Sequence, residues 1–217
     1  MTPQDLLIAG ADELGLTLTV HQREQFSLLA AELQKWNRKI NLTAIDRLDA
    51  IVVKHFLDSL TLAPVVPVRG RLLDIGSGGG FPAIPLKILY PELTVASVDA
   101  VAKKIIFQRH AARLLGLTDF TALHVRGEAL AEQYAGSFDR VVSRAFADLP
   151  TFVRLALPLI SEHGVIIAMK GKEGASEAAT AAPLLAELGV TLQEVREFPL
   201  PQSGDGRSLV LMVRKGS

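Results

Sequence analysis

The sequence contains no cysteine. Disulfides, thiolate zinc sites and cysteine nucleophiles are therefore excluded. An excess of charge of either sign is missing too, since 23 Lys and Arg face 23 Asp and Glu over 217 residues. The balance is local: eight of each sign fall in residues 1–72, eight in 73–150 and seven in 151–217. No basic tail or acidic block is present to hold a polyanion by bulk charge. Long apolar runs are absent, and Leu155–Ile160 and Val165–Met169 fall far short of the ~18 residues that a membrane span needs. The N-terminal residues carry no basic segment ahead of an apolar one, so no signal peptide is expected. His21, His55, His110, His124 and His163 show no close pairing, which gives no metal site. What is present is a 49% apolar composition, too high for a disordered chain and enough for a sizeable core. The expectation is a soluble, cytoplasmic, monomeric protein with no membrane partner.

Two regions differ in pattern. Residues 1–62 read as helical. Thr19 with Gln22 fits a capping box, and Phe26, Leu29, Leu33 and Trp36 then recur as one apolar stripe of a helix ending near Lys39. Asn41-Leu42-Thr43 breaks the pattern, and a further helix after Asp46 carries Ile51, Val52, Phe56 and Leu60. Pro64, Pro67 and Gly70 mark a boundary. The chain thus divides into a helical extension, 1–68, and a main domain, 69–217. In the main domain, strand candidates are Arg71–Ile75, Thr94–Val98, Thr121–Val125, Arg140–Ser143, Val165–Met169, Leu192–Phe198 and Leu209–Val213. Helical stretches separate the first six, which implies a mostly parallel sheet covered on both faces. The last two, joined by a loop alone, imply an antiparallel end. The alanine-rich stretch Ala175–Ala182 reads as an ordinary helix.

The most informative stretch is Leu72-Leu73-Asp74-Ile75-Gly76-Ser77-Gly78-Gly79-Gly80-Phe81-Pro82. A strand ends near a carboxylate, a glycine-rich turn follows, and a helix is expected to open at Pro82. Such turns lie at the carboxyl ends of strands, where open α/β sheets bind ligands. A phosphate loop would need a lysine that is absent here. A dinucleotide turn fits only in its looser form, Gly78-x-Gly80-x-x-Ala83. Asp74 opposes a pyrophosphate and suits a ligand that presents an amine. The amino-acid end of S-adenosylmethionine (SAM) is such a ligand. Asp99 closes the second strand and can accept hydrogen bonds from ribose hydroxyls, or simply cap the next helix. Arg126-Gly127-Glu128 would line the adenine side, although Glu128 also fits a first-turn carboxylate held by the helix dipole. Ser143-Arg144-Ala145-Phe146 follows the fourth strand, where class I methyltransferases place groups facing the substrate. There Arg144 is the best substrate-side candidate, or an ion-pair partner of Asp148.

Trp36-Asn37 with Asn41-Leu42-Thr43, His55-Phe56-Leu57-Asp58-Ser59, Asp74–Pro85, Ser143–Phe146 and Lys170-Gly171 occur here in one order. In this the sequence resembles the RsmG (GidB) family, bacterial methyltransferases that modify guanine N7 in 16S ribosomal RNA. The resemblance spans nearly the whole chain. It implies a class I SAM-dependent methyltransferase fold: Rossmann-like, α/β, a mostly parallel seven-stranded sheet with an antiparallel last strand. By the same resemblance Gly76, Phe81, Gly127, Glu128 and Arg144 would line the cofactor site, to which the residue reading above adds Asp74, Gly78 and Asp99. The implied partner is 16S ribosomal RNA or the small ribosomal subunit.

The missing chemistry is consistent with this. Methylation of cytosine C5 needs a cysteine, which is absent. Methylation of exocyclic amines in this fold usually uses an (Asp/Asn)-Pro-Pro-(Phe/Tyr) loop where this chain has Ser143-Arg144-Ala145-Phe146. Guanine N7 carries an in-plane lone pair, unprotonated at neutral pH, and needs no general base. Ribose 2′-O methylation would need one, and Lys170 is a candidate. A SAM enzyme of small molecules, an NAD-binding oxidoreductase and a binding module without turnover remain as alternatives. His55 and Trp36 fit the core, and the basic face Lys103, Lys104, Arg109 and Arg113 fits either solvent or phosphates.

Overall fold

The computed structural model describes residues 1–126, 130–144, 146 and 148–216. Gly127 and Glu128, two of the expected cofactor residues, lie outside the described residues. No helix among those described is long and apolar enough to cross a membrane.

A seven-stranded sheet forms the centre, in the order β3-β2-β1-β4-β5-β7-β6. Its strands are β1 (Gly70–Ile75), β2 (Leu93–Asp99), β3 (Phe120–His124), β4 (Phe138–Ser143), β5 (Ile160–Gly171), β6 (Val190–Pro199) and β7 (Gly206–Arg214). The first five pair in parallel, and β7 runs antiparallel to both β5 and β6. Alternation along β1 explains the two covered faces. Leu72 joins an apolar cluster with Leu86 and Ile167, whereas Leu73 and Ile75 join another with Phe152, Val153 and Ala178. The crossover helices are α5 (Ala83–Leu89), α6 (Ala102–Leu114), α7 (Ala131–Tyr134), α8 (Leu149–Ala156) and α9 (Gly174–Glu187). A Cβ at Gly174 would overlap Ser208 Oγ, so glycine lets α9 start close against β7.

The N-terminal part consists of α1 (Pro3–Glu13), α2 (Val20–Ile40), α3 (Leu48–Ile51), a π-helical turn (Val52–Leu57) and α4 (Asp58–Leu60). The last three run on without a break. Thr19 and Gln22 form the expected capping box of α2. The stripe Phe26, Leu29 and Leu33 is buried in one cluster with Phe56 and Leu60, with Ile84 and Ile88 of α5, and with Phe107 of α6. Trp36 sits at the rim, edge-on to Phe107 at 5.7 Å. Helix C-termini leave carbonyls unpaired, and α2 supplies the missing donors. Gln22 Nε2 donates to Ile88 O at 3.0 Å and Leu89 O at 2.9 Å, closing α5. Gln25 Nε2 donates to Leu115 O at 2.8 Å, closing α6. Lys87 is buried, and its Nζ donates to Pro91 O and Leu93 O, both at 2.6 Å, which fixes the turn from α5 into β2.

Candidate active site

At the carboxyl end of β1 the chain turns through Gly76–Gly80. Gly76 and Gly78 have φ of +74° and +59°, a conformation that side chains resist. A Cβ on Gly78 would meet nothing within 4 Å, so the backbone there is open to close approach. The turn is held from below. Gly76 N and Ser77 N both donate to Val98 O, at 2.9 and 3.0 Å. Gln108 of α6 is fully buried and donates from Nε2 to Ser77 Oγ and Gly78 O, both at 2.8 Å. Nothing in the local sequence announces Gln108. Its partners lie about thirty residues away and are met only through the sheet crossover.

Asp74 is completely buried beneath this turn. Its Oδ2 accepts Ala83 N–H at 3.1 Å, and its Oδ1 has no partner among the described residues. Burial pushes this carboxyl up to about 7, although the Ala83 hydrogen bond and Arg144 oppose the shift. The expected helix start needs correction by one residue. α5 begins at Ala83, with Pro82 as its cap, because the first donor of the helix is the Ala83 N–H that Asp74 takes. Phe81 does not present its ring to the cleft. The ring is buried and stacked on His55, with centroids 4.5 Å apart and planes 8° from parallel.

Asp99 does not cap α6, whose N-cap position is Val101 with no side-chain cap hydrogen bond; its carboxylate ties the approach to α6 to the glycine turn. Oδ1 accepts Val101 N–H at 2.8 Å just ahead of α6, and Oδ2 accepts Gly78 N–H at 2.9 Å. The same residue lines a cleft of 380 Å³, together with Gly76, Ala100, Val125, Arg126 and Phe146. Other hollows are larger, including one of 450 Å³ between α8 and α9. The 380 Å³ cleft is set apart by its place, at the carboxyl ends of β1, β2 and β3, against the glycine turn.

Arg144 is not paired with Asp148. Asp148 caps α8 through Thr151 N–H at 2.8 Å. Arg144 turns instead toward the N-terminal helices. Its Nη1 donates to Lys54 O at 3.0 Å, lies 3.2 Å from His55 Nδ1 and stands 3.6 Å from Asp58 Oδ2. Its guanidinium also lies over Phe81, 5.5 Å from the ring centre. His55 is buried, with Nε2 3.0 Å from Thr43 Oγ1. Desolvation first, and the Arg144 charge second, press its pKa down to about 3. His55 is therefore a neutral bracket for Arg144. The π-helical turn that carries His55 and leads into Asp58 has no signature in composition, so the sequence does not reveal this arrangement. Lys170, the candidate base, is occupied: its Nζ donates to Glu177 Oε1 at 2.8 Å and Phe146 O at 3.1 Å.

The family model described as rRNA small subunit methyltransferase G matches residues 22–203. The chain belongs to this family. It is 60% identical over 212 residues to the ribosomal RNA small subunit methyltransferase G of Geobacter metallireducens, covering 98% of this chain and 96% of that one. It is 43% identical to the protein of the same name from Deinococcus radiodurans, covering 99% and 87%. Among solved structures, a SAM-dependent methyltransferase from Aquifex aeolicus superposes with a TM-score of 0.59 at 13% identity, covering 76% of this chain and 93% of that one. TYW2 of M. jannaschii, solved in complex with AdoMet, gives 0.59 at 13% identity, covering 72% and 74%. These likenesses agree with the expected mostly parallel methyltransferase fold with its antiparallel last strand.

Proposed function

We propose that this chain is a SAM-dependent methyltransferase acting on guanine N7 of 16S ribosomal RNA in the small subunit. Family membership supports the coarser part, methylation of small-subunit ribosomal RNA. The observation that carries the cofactor reading is the buried, half-satisfied Asp74 carboxyl under an open glycine turn. A buried polar atom without a partner is costly, and a cationic ligand amine relieves that cost. Asp74, Gly76, Gly78, Asp99 and Arg144 are the residues that would hold SAM, with Phe81 contributing main chain alone. SAM supplies an electrophilic methyl on a sulfonium centre. Asp74 also argues against NAD, because it already occupies the first donor of α5 and places negative charge where a pyrophosphate would sit.

Guanine N7 as the acceptor agrees with the state of the titratable groups. His55 is held neutral and hydrogen-bonded, and Lys170 is paired with Glu177. Neither of these two groups stands ready as a general base. Holding a lone pair in line with the methyl is then the main task, and such alignment supplies roughly 7–11 kcal/mol of a barrier. The N-terminal residues 1–68 are in this reading an extension that braces the site through His55 and Asp58.

Two measurements test the reading. Calorimetric titration should show binding of SAM and none of NADH; the reverse would overturn the cofactor assignment. Labelled SAM with ribosomal RNA lacking the mark should place label on guanine N7. Label elsewhere, or only on free metabolites, would replace this acceptor with another.

A further inference from the structure

Asp58 is buried at the end of the π-helical turn and serves two guanidiniums. Arg207 Nε donates to Oδ1 at 2.7 Å, and Arg144 Nη1 lies 3.6 Å from Oδ2. The sheet topology makes these arginines neighbours. Because β7 runs antiparallel, its first residues return to the end of the sheet where β4 and β5 finish, and Arg207 pairs in register with Gly171. Two like charges on the one buried carboxylate leave a local excess of +1, which the solvent-exposed Asp205 beside Arg207 Nη2 offsets from outside. One arginine suffices to neutralise Asp58, so the second has capacity for another anion. Arg207 keeps about a quarter of its side chain exposed (24%), with Nη1 on Gly206 O at 3.1 Å and Nη2 3.9 Å from Asp205 Oδ2. Lys54, whose own carbonyl accepts from Arg144, and Lys172, next to Gly171, are both exposed and flank the cluster along the chain.

We propose that Arg207 binds a backbone phosphate of the RNA substrate, and that Asp58 is the positioning residue that holds Arg207 and Arg144 side by side. The inference rests on the RNA reading above. A planar guanidinium fixed through Nε by a buried carboxylate meets only exposed partners on its outer donors, Gly206 O and Asp205, which a phosphate can share or displace. Arg144, over the Phe81 ring, is left to the cofactor. One anion-binding cluster thereby divides between two ligands, and the negative charge between them keeps the division.

The test uses the full chain with Arg207→Gln, Arg207→Lys and Asp58→Asn, after circular dichroism has verified folding. SAM affinity is measured by calorimetry, and kcat and KM for ribosomal RNA by labelled methyl transfer across a salt series. For Arg207→Gln the expected result is a rise in RNA KM of about tenfold, with a salt slope shallower by about one phosphate contact. The SAM Kd should stay within about twofold of the unaltered protein, and Arg207→Lys should recover part of the KM. Asp58→Asn should raise both constants. If Arg207→Gln shifts SAM affinity as much as RNA KM, the residue belongs to the cofactor site. If it changes neither KM nor salt slope, Arg207 is a brace. Either result overturns the proposal. Absence of transfer to RNA by the unaltered protein would overturn the function reading itself, and this inference with it.

Discussion

Two buried carboxylates at the same end of the sheet have opposite fates. Asp74 lies under the glycine turn with one oxygen unpartnered, and Asp58 lies a short way across with an arginine on each oxygen. Burying charge without compensation is costly, and burying it between cations is tolerable only while the partners stay. Asp58 is completed by the chain. Asp74, in the proposed reading, would be completed by the cofactor amine. On that reading the difference would separate the part of the site built on folding from the part built on binding.

The sharpest way to break this comparison is to remove each carboxylate in turn. Asp58→Ala leaves two partly buried guanidiniums facing each other and should cost about 3–5 kcal/mol of stability, read from denaturant unfolding. Asp74→Asn should leave the empty protein at least as stable as before at pH 8, since a buried charge is removed. It should nevertheless weaken SAM binding by about 10- to 100-fold, the value of a charged hydrogen bond. Equal destabilisation by both substitutions would erase the distinction.

The pH dependence gives a finer cut. The Asp74 carboxyl is raised from 3.8 to about 7 in the empty fold. Its stabilising contribution is thus complete below its unfolded value and is lost as pH rises through about 7. A cationic ligand reverses that penalty, so SAM affinity should increase by about tenfold between pH 6 and pH 8, and Asp74→Asn should flatten the curve. His55 has the opposite sign. Its value is pressed down from 6.5 to about 3, so its contribution is present above 6.5 and is lost as pH falls toward 3. The smallest effect is expected for Gln108→Ala, about 1 kcal/mol in stability, with a several-fold weaker SAM Kd and an unchanged RNA KM.

Much of this was legible in sequence because it is local. The seven strands follow from short apolar runs between helical stretches, and the glycine turn announces itself over a few residues. The order in which distant pieces meet is another matter. Arg144 has an acidic neighbour in sequence, Asp148, yet its partner is Asp58, 86 residues earlier. Asp148 is committed to Thr151 N–H, and the parallel crossover carries Arg144 toward the N-terminal helices. Gln22 reads correctly as a capping residue, but the same side chain also closes α5, a role set by helix packing. Phe81 sits in the right motif with its ring turned into the core, because the stacking surface of His55 comes from a different segment.

The glutamines of α2 have a consequence for the order of assembly during synthesis. Gln22 and Gln25 close helices whose last carbonyls belong to Leu89 and Leu115, and the stripe of α2 packs on Phe107. A chain made from its N-terminus exposes Phe26, Leu29 and Leu33 before those partners exist. Although α2 leaves the ribosome early, it is therefore among the last helices to find its final packing, and it depends on about half the chain having followed it.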